Sequence, residues 1–161
     1  MMPCSFSLSP EIEIKKQKFY SKNNFHISLL YIDKYALVLA NAKNISVKKA
    51  TSEITKISKQ FLSQNSIEFK KLSPDIRLVS KDSQSSIIVM VKLLGINKFS
   101  KYLTTELGIK VESPSTHVTL FTSKNSTGIG VDDKNDLDNL TTPLNKDNRE
   151  IVKKSIISYK F

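Results

Sequence analysis

The two histidines of this chain occur in the same short pattern: a histidine, an apolar residue, a hydroxyl residue and a second apolar residue. In residues 25–29 the pattern supplies His26 and Ser28, and in residues 116–120 it supplies His117 and Thr119. Because side chains i and i+2 of a strand share a face, each motif should present one imidazole and one hydroxyl together. The apolar residues between them should point into the core.

Two imidazoles and two hydroxyls are a set of groups that can break a phosphodiester bond. One histidine can take a proton from the nucleophile while the other protonates the leaving oxygen. The hydroxyls can donate hydrogen bonds to the non-bridging phosphate oxygens as charge develops there. Two histidines and one cysteine form no cluster with zinc-site spacing, so no metal and no cofactor are expected. A magnesium site made of carboxylates alone is left open by the sequence, although no motif indicates one. The alternative interpretation is two strand histidines that are simply buried and hydrogen-bonded.

The repeated motif in a small α/β chain resembles the 2H phosphoesterase superfamily. That family includes bacterial 2′-5′ RNA ligase and cyclic phosphodiesterase proteins, eukaryotic 2′,5′-phosphodiesterases and viral proteins that degrade cyclic or 2′-5′ oligonucleotide signals. The resemblance implies that His26 and His117 are the catalytic pair and that Ser28 and Thr119 bind the phosphate. It also implies an α+β, two-lobed fold. Each lobe is then a concave, mostly antiparallel sheet with helices on its outer face, and the active-site cleft lies between the lobes.

Three further residues are candidate substrate contacts. Tyr31 follows the first motif and could stack on a base, although packing is the more common role of such a tyrosine. Phe121 shares the face of His117 and Thr119 if the strand alternates regularly, so it could line the cleft. Family members with the RNA-ligase signature carry an arginine shortly after the second motif, and here Lys124 is the available substitute. Residues 128–130, Gly-Ile-Gly, favour a turn over a phosphate-binding loop.

The composition indicates one globular domain over residues 1–161. The protein is expected to be a monomer. The net charge of +10 favours a polyanionic partner, such as a nucleotide or RNA, or else a solvated, lysine-rich surface. No apolar run approaches the length of a membrane span and no signal peptide is recognisable. The only cysteine is Cys4, which indicates a reducing compartment and hence the cytoplasm.

Periodicity predicts alternating helices and strands. Residues 1–10 are expected to be a loose leader. Residues 33–42 are expected to be either a helix or extended chain, with extended chain favoured for Ala36 to Leu39. Helices are predicted over residues 46–64, capped by Ser46, over 97–107, stopped by Gly108, and over 134–140, with a helix or loop over 147–154. Strands are predicted over residues 11–15, 25–32, 67–72, 76–80, 86–93, 116–122 and 156–161, with a turn at 73–75. This order suggests two α/β halves, each with one histidine strand.

The leading hypothesis is therefore a metal-independent phosphodiesterase that hydrolyses 2′,3′-cyclic phosphates, 2′-5′ linkages or cyclic oligonucleotides. Its partners would be RNA ends or a cyclic nucleotide messenger. One alternative is a non-catalytic RNA- or nucleotide-binding module that keeps the cleft without turnover. Another is a 2′-5′ RNA ligase that uses the same chemistry in the reverse direction. The sequence leaves open which histidine is the acid and which is the base.

Overall fold

The computed structural model describes residues 1–123 and 128–160, and in these ranges the chain has an α+β fold with five helices and nine strands. The strands are β1 (Met2–Leu8), β2 (Glu11–Ile14), β3 (Gln17–Ser21), β4 (Phe25–Ile27), β5 (Glu68–Lys81), β6 (Gln84–Leu94), β7 (His117–Thr122), β8 (Thr141–Pro143) and β9 (Ile156–Lys160). The helices are α1 (Ile32–Lys43), α2 (Val47–Gln64), α3 (Ile96–Leu107), α4 (Lys134–Leu140) and α5 (Lys146–Ser155). None of the helices in the described ranges is long and apolar enough to cross a membrane.

The strands form two antiparallel sheets. The smaller sheet has the order β4-β1-β9, and the larger has the order β2-β3-β7-β6-β5-β8. Strand β7 is a central strand of the larger sheet, because β3 pairs with it on one side and β6 on the other. Its residues Val118, Leu120 and Phe121 have no exposed surface. Each histidine motif therefore belongs to a different sheet, His26 to the smaller one and His117 to the larger one.

The chain divides into two compact units. Unit 1 comprises Met1–Ser28, Lys71–Lys92 and Ser115–Phe161, and unit 2 comprises Leu29–Lys70 and Leu93–Pro114. Both histidines and both motif hydroxyls belong to unit 1, although one motif lies near the start of the chain and the other follows residue 115.

Unit 2 contains the three longest helices, and their ends follow local sequence signals. Helix α2 begins after Ser46, whose hydroxyl oxygen accepts a hydrogen bond from the Lys49 N–H at 3.3 Å. Helix α3 ends at Gly108, which adopts φ +69°, a left-handed conformation that glycine accepts without steric cost. The rings of Phe61 and Phe99 are 5.2 Å apart and join the two helices. The predicted helices over residues 46–64 and 97–107 are confirmed.

The expected loose leader is wrong, because residues 2–8 form β1, the middle strand of the smaller sheet. Strand β1 pairs with β4 on one side and with β9 on the other. Its burial alternates residue by residue, and the Phe6 ring lies 5.2 Å from Phe25 and 5.7 Å from Tyr159. The partners that make this segment a strand lie about 20 and 150 residues away in the chain, so local composition does not reveal them.

The first motif strand is shorter than predicted, and the segment that follows it is helical. Pairing in β4 ends at Ile27, and α1 begins at Ile32. The extended conformation expected for Ala36 to Leu39 is wrong. Tyr35, Ala36, Leu39 and Ala40 are the buried residues of α1, and this spacing places them on one face of a helix.

The turn predicted at residues 73–75 is also wrong, because β5 runs without interruption through Pro74. Proline removes an N–H from a strand and is tolerated where no neighbour needs that donor. On one edge of β5 the partner is β8, whose pairing is confined to Arg77–Val79. The strands predicted over residues 11–15, 86–93 and 116–122 are confirmed. The helix at 134–140 is confirmed as well, and residues 147–154 are helical within α5. The final strand is described as far as Lys160.

Candidate active site

His117 is the first residue of β7 and is buried, with 9 % of its surface exposed. Its Nδ1 atom lies 2.7 Å from the carbonyl oxygen of Ser115. A carbonyl can only accept, so Nδ1 carries the proton and donates this hydrogen bond. In the neutral imidazole the second nitrogen, Nε2, then has the free lone pair. The fold therefore holds His117 in one orientation and in one tautomer, with Nε2 as the basic atom.

Burial lowers the pKa of His117 below its ordinary value of 6.5, because the charged imidazolium loses its hydration there. The hydrogen bond to the Ser115 carbonyl acts in the opposite direction and favours the protonated ring. The positive charge of His26 lowers the pKa of His117 further. His117 is consequently a neutral base at pH 7, and His26 lies within electrostatic range of it.

His26 occupies a different environment, on the exposed face of the smaller sheet. It pairs with Pro3 of β1, whereas its neighbour Ile27 pairs with Met2 and is fully buried. Strand β4 lies against β7 within unit 1, which brings the two histidine strands together. The structure thus combines one exposed and one buried imidazole from two sheets in the same compact unit.

The pairing register places the hydroxyl of the second motif on the face of its histidine. In the larger sheet His117 is opposite Met90 and Thr119 is opposite Ile88, so these side chains share one face. Thr119 is half-buried. Ser28 lies just beyond the end of β4, but the alternation continues, with His26 exposed, Ile27 buried and Ser28 half-buried. The shared face predicted for His117 and Thr119 is confirmed by the register.

A β-bulge in β7 changes the prediction for Phe121. Ile88 pairs with Thr119, but the next residue of β6, Ile87, pairs with Phe121, so Leu120 is an extra residue in β7. Since Ile87 points away from the Ile88 face, Phe121 also points away from Thr119. Phe121 has no exposed surface. The expectation that it shares the face of His117 is therefore wrong, because one inserted residue reverses the alternation.

The other two candidate contacts are Tyr31 and Lys124. Tyr31 belongs to unit 2, where it immediately precedes α1 and its carbonyl oxygen accepts a hydrogen bond from the Tyr35 N–H at 3.4 Å. It is half-buried. Lys124, proposed as a substitute for the family arginine, lies outside the described residues. The hypotheses for these two residues remain predictions.

The sequence interpretation missed a contact of Gly128 with the site. A Cβ atom at Gly128 would lie 3.0 Å from Thr119 Oγ1, 3.1 Å from its Cγ2 and 3.3 Å from its Cβ. The backbone of Gly128 thus packs directly on the side chain of Thr119. The Gly-Ile-Gly segment was visible as a pattern, but only the tertiary structure shows what it approaches.

The segment that follows Gly128 is fixed to the same sheet. Ile129 and Val131 are buried and pack in one cluster with Val79 and Ile88, the residue opposite Thr119. The Ile129 N–H also lies 3.5 Å from the Ser86 hydroxyl oxygen. Anchors on the residues after Gly128 therefore hold the glycine close to Thr119.

No group of three or more His, Cys, Asp and Glu side chains converges as a metal site within residues 1–123 and 128–160. Comparison of the chain with protein-family models, with curated proteins and with solved structures gave no match. The chemical interpretation therefore depends on the two motifs and on the geometry of the groups around them.

Proposed function

We propose that the protein is a metal-independent phosphodiesterase that hydrolyses 2′,3′-cyclic phosphates, 2′-5′-linked or cyclic oligonucleotides by two-histidine acid/base catalysis. The observation that carries the proposal is that the imidazoles of His26 and His117 interact electrostatically but lie in different environments. His117 is buried, neutral and fixed in one tautomer, and the nearby His26 is exposed. Two titratable groups in environments this different are suited to opposite proton-transfer roles.

In the proposed mechanism His117 is the base for hydrolysis. Its Nε2 atom takes a proton from a water molecule, and the water oxygen forms a bond to phosphorus. The bond from phosphorus to the leaving ribose oxygen breaks, and that oxygen receives a proton from His26. Water is thereby added across one P–O bond. His117 then releases its proton to solvent and His26 takes one up, so both return to their starting states. In the reverse direction the two histidines exchange roles.

The motif hydroxyls stabilise the phosphate in this mechanism. Thr119 and Ser28 each donate a hydrogen bond to a non-bridging oxygen, on which negative charge increases as the nucleophile adds. Thr119 lies on the His117 side and Ser28 on the His26 side, so the phosphate is held from two sheets. The net charge of +10 supports a polyanionic substrate, such as an RNA end or a cyclic nucleotide messenger.

The proposal includes the two-lobed architecture of the 2H phosphoesterase superfamily. Each histidine strand would then belong to its own concave sheet with helices on the outer face, and the catalytic cleft would be bounded by both sheets. What supports this is that β4 and β7 belong to different antiparallel sheets and yet lie against each other. We further propose that the protein acts as a monomer in the cytoplasm, where its single cysteine would remain reduced.

The experiment is incubation of the purified protein with 2′,3′-cyclic nucleotides, 2′-5′ oligoadenylate and cyclic dinucleotides in EDTA. The proposal expects cleavage by the wild-type protein and its loss in both His26→Ala and His117→Ala. Asn24→Ala is a matched control, because Asn24 is an exposed residue two positions before His26. It should retain full activity.

Three outcomes would contradict the proposal. A strict requirement for a metal ion would exclude the mechanism, and full activity in either histidine variant would exclude the acid/base pair. The absence of any product, with tight oligonucleotide binding retained, would indicate a binding module. Joining of a 2′,3′-cyclic phosphate end to a second strand, instead of its hydrolysis, would indicate a ligase.

A further inference from the structure

The side chain of Thr119 lies close to the backbone of Gly128. A threonine has three staggered χ1 positions, and its hydroxyl and methyl groups occupy two of them. Both groups lie close to the point where Gly128 would carry a Cβ, at 3.0 Å for Oγ1 and 3.1 Å for Cγ2. Such distances are shorter than ordinary van der Waals contact. A Cβ at residue 128 would therefore require Thr119 or the chain at Gly128 to shift by a few tenths of an ångström.

Both partners in this contact are next to residues that pack on the larger sheet or pair within it. The backbone of Thr119 is held in place because β7 is paired with both β3 and β6. The chain after Gly128 is held in place because Ile129 and Val131 pack in one cluster with Ile88. Ile88 is in turn the residue opposite Thr119. The glycine therefore packs against a hydroxyl that sits on the same face as the buried base, His117.

We propose that Gly128 is a positioning residue that holds the Thr119 hydroxyl in the rotamer that binds the phosphate. This inference rests on the proposed function and adds a residue that orients Thr119 before the substrate binds. Gly128 acts through Thr119. Its contribution is the absence of a Cβ, which lets the backbone of the loop confine the threonine without displacing it.

Gly128→Ala tests this directly. The added methyl group must push the Thr119 side chain or the loop away, and kcat/KM should fall about tenfold to a hundredfold, as expected when a catalytic contact is misplaced. Gly130→Ala is the matched control. Gly130 lies two residues along the same segment, and its new Cβ would meet only the end of the Asp132 side chain, at 3.2 Å. Its activity should stay within about twofold of wild type, as surface substitutions do.

A double-mutant cycle separates positioning from a general structural effect. In the Thr119→Val background the hydroxyl is already absent, so Gly128→Ala should reduce kcat/KM by no more than about twofold further. In the Thr119→Ser background the methyl is absent and the hydroxyl can rotate, so Gly128→Ala should cost less than in the wild type. The same additional loss in all three backgrounds would overturn the proposal, since it would mean that the glycine matters only for folding.

A second measurement does not depend on turnover. NMR of threonine labelled at the methyl group reports the χ1 rotamer of Thr119 through its coupling constants. Gly128→Ala should change the rotamer populations of Thr119, and Gly130→Ala should leave them unchanged. An unchanged rotamer in Gly128→Ala would overturn the inference even if the enzyme proves active. A wild-type protein that cleaves none of the substrates would instead count against the proposed function, and the rotamer result would still decide the role of Gly128.

Discussion

The two histidine motifs have almost the same sequence but lie in different surroundings. His117 begins a six-residue central strand, is buried and donates a hydrogen bond to Ser115. His26 lies in a three-residue edge strand of the smaller sheet and is exposed. The residue at +2 differs in the same way, because Thr119 is paired within its strand and Ser28 lies beyond the last paired residue of its own.

A repeated motif therefore need not place its two histidines in equivalent environments. A buried, neutral imidazole with a fixed tautomer is well prepared to accept a proton. An exposed imidazole can exchange its proton with water and can deliver it to a leaving group. In the proposed site the same tetrapeptide pattern would thus provide one rigid, preorganised half and one half that solvent reaches.

The largest expected effects are on activity and come from the histidines themselves. His26→Ala and His117→Ala should each lower kcat/KM by about 10²- to 10⁴-fold, the usual contribution of a general acid or base. Their effects on folding should differ, because only His117 is buried and hydrogen-bonded. Urea unfolding should show a loss of about 1–3 kcal/mol for His117→Ala and no change for His26→Ala. Equal losses of stability would remove the distinction between the two motifs.

The hydroxyl residues should show the same asymmetry on a smaller scale. Thr119→Val should reduce kcat/KM by about a hundredfold and Ser28→Ala by about tenfold, because a donor on a paired strand is held in place before the substrate binds. Ser7→Ala is a control, since Ser7 is an exposed strand serine outside both motifs. Steady-state kinetics at saturating and limiting substrate would check the order. A larger loss for Ser28→Ala would reverse our assignment of the rigid half.

The pH dependence of stability should identify His117 as the buried base. Its pKa in the folded protein is below the ordinary value of 6.5, so the unfolded chain binds the proton first. The contribution of His117 to stability is then complete above pH 6.5 and is lost as the pH falls through the folded pKa. The slope for one proton is at most about 1.4 kcal/mol per pH unit. Urea midpoints from pH 8 to pH 5 should show a smaller acid-side loss in His117→Gln than in wild type.

The smallest expected effect is the electrostatic coupling between the two rings. The charge of His26 lowers the pKa of His117, so His26→Gln should raise that pKa. The chain has only two histidines, and an NMR titration of the imidazole C–H signals of this variant therefore follows His117 alone. Asn24→Ala should leave the titration of His117 unchanged. An identical titration in His26→Gln and wild type would mean that the imidazoles are too far apart to act on one phosphate.

Elements with strong local signals could be predicted from the sequence. The apolar stripe and the Ser46 cap predicted α2, and the Gly108 stop predicted the end of α3. Strand β7 was predictable because the polar His117 and Thr119 alternate with the apolar Val118 and Leu120, as in a strand with one face on the core. In these elements the local pattern of apolar and polar residues, together with the capping residues of the helices, is enough to indicate the structure.

Other elements depend on partners that are distant in sequence. Residues 2–8 become a strand because Phe25–Ile27 and Ile156–Lys160 supply hydrogen-bonding partners on both sides. Strand β5 continues through Pro74, and its pairing with β8 is confined to Arg77–Val79, beyond the proline. A local sequence pattern does not reveal such partners, because strand formation depends on pairing within the whole sheet.

The sequence by itself determined the chemical groups of the candidate site: two imidazoles, each with a hydroxyl two residues later. Strand periodicity also determined that His117 and Thr119 share a face. The tertiary structure was needed to show that His117 is buried and His26 exposed. It was also needed to show that a bulge at Leu120 turns Phe121 away from the face of Thr119, and that Gly128 packs on Thr119. Burial, register and close approach depend on residues far apart in the chain, and a motif specifies only its own atoms.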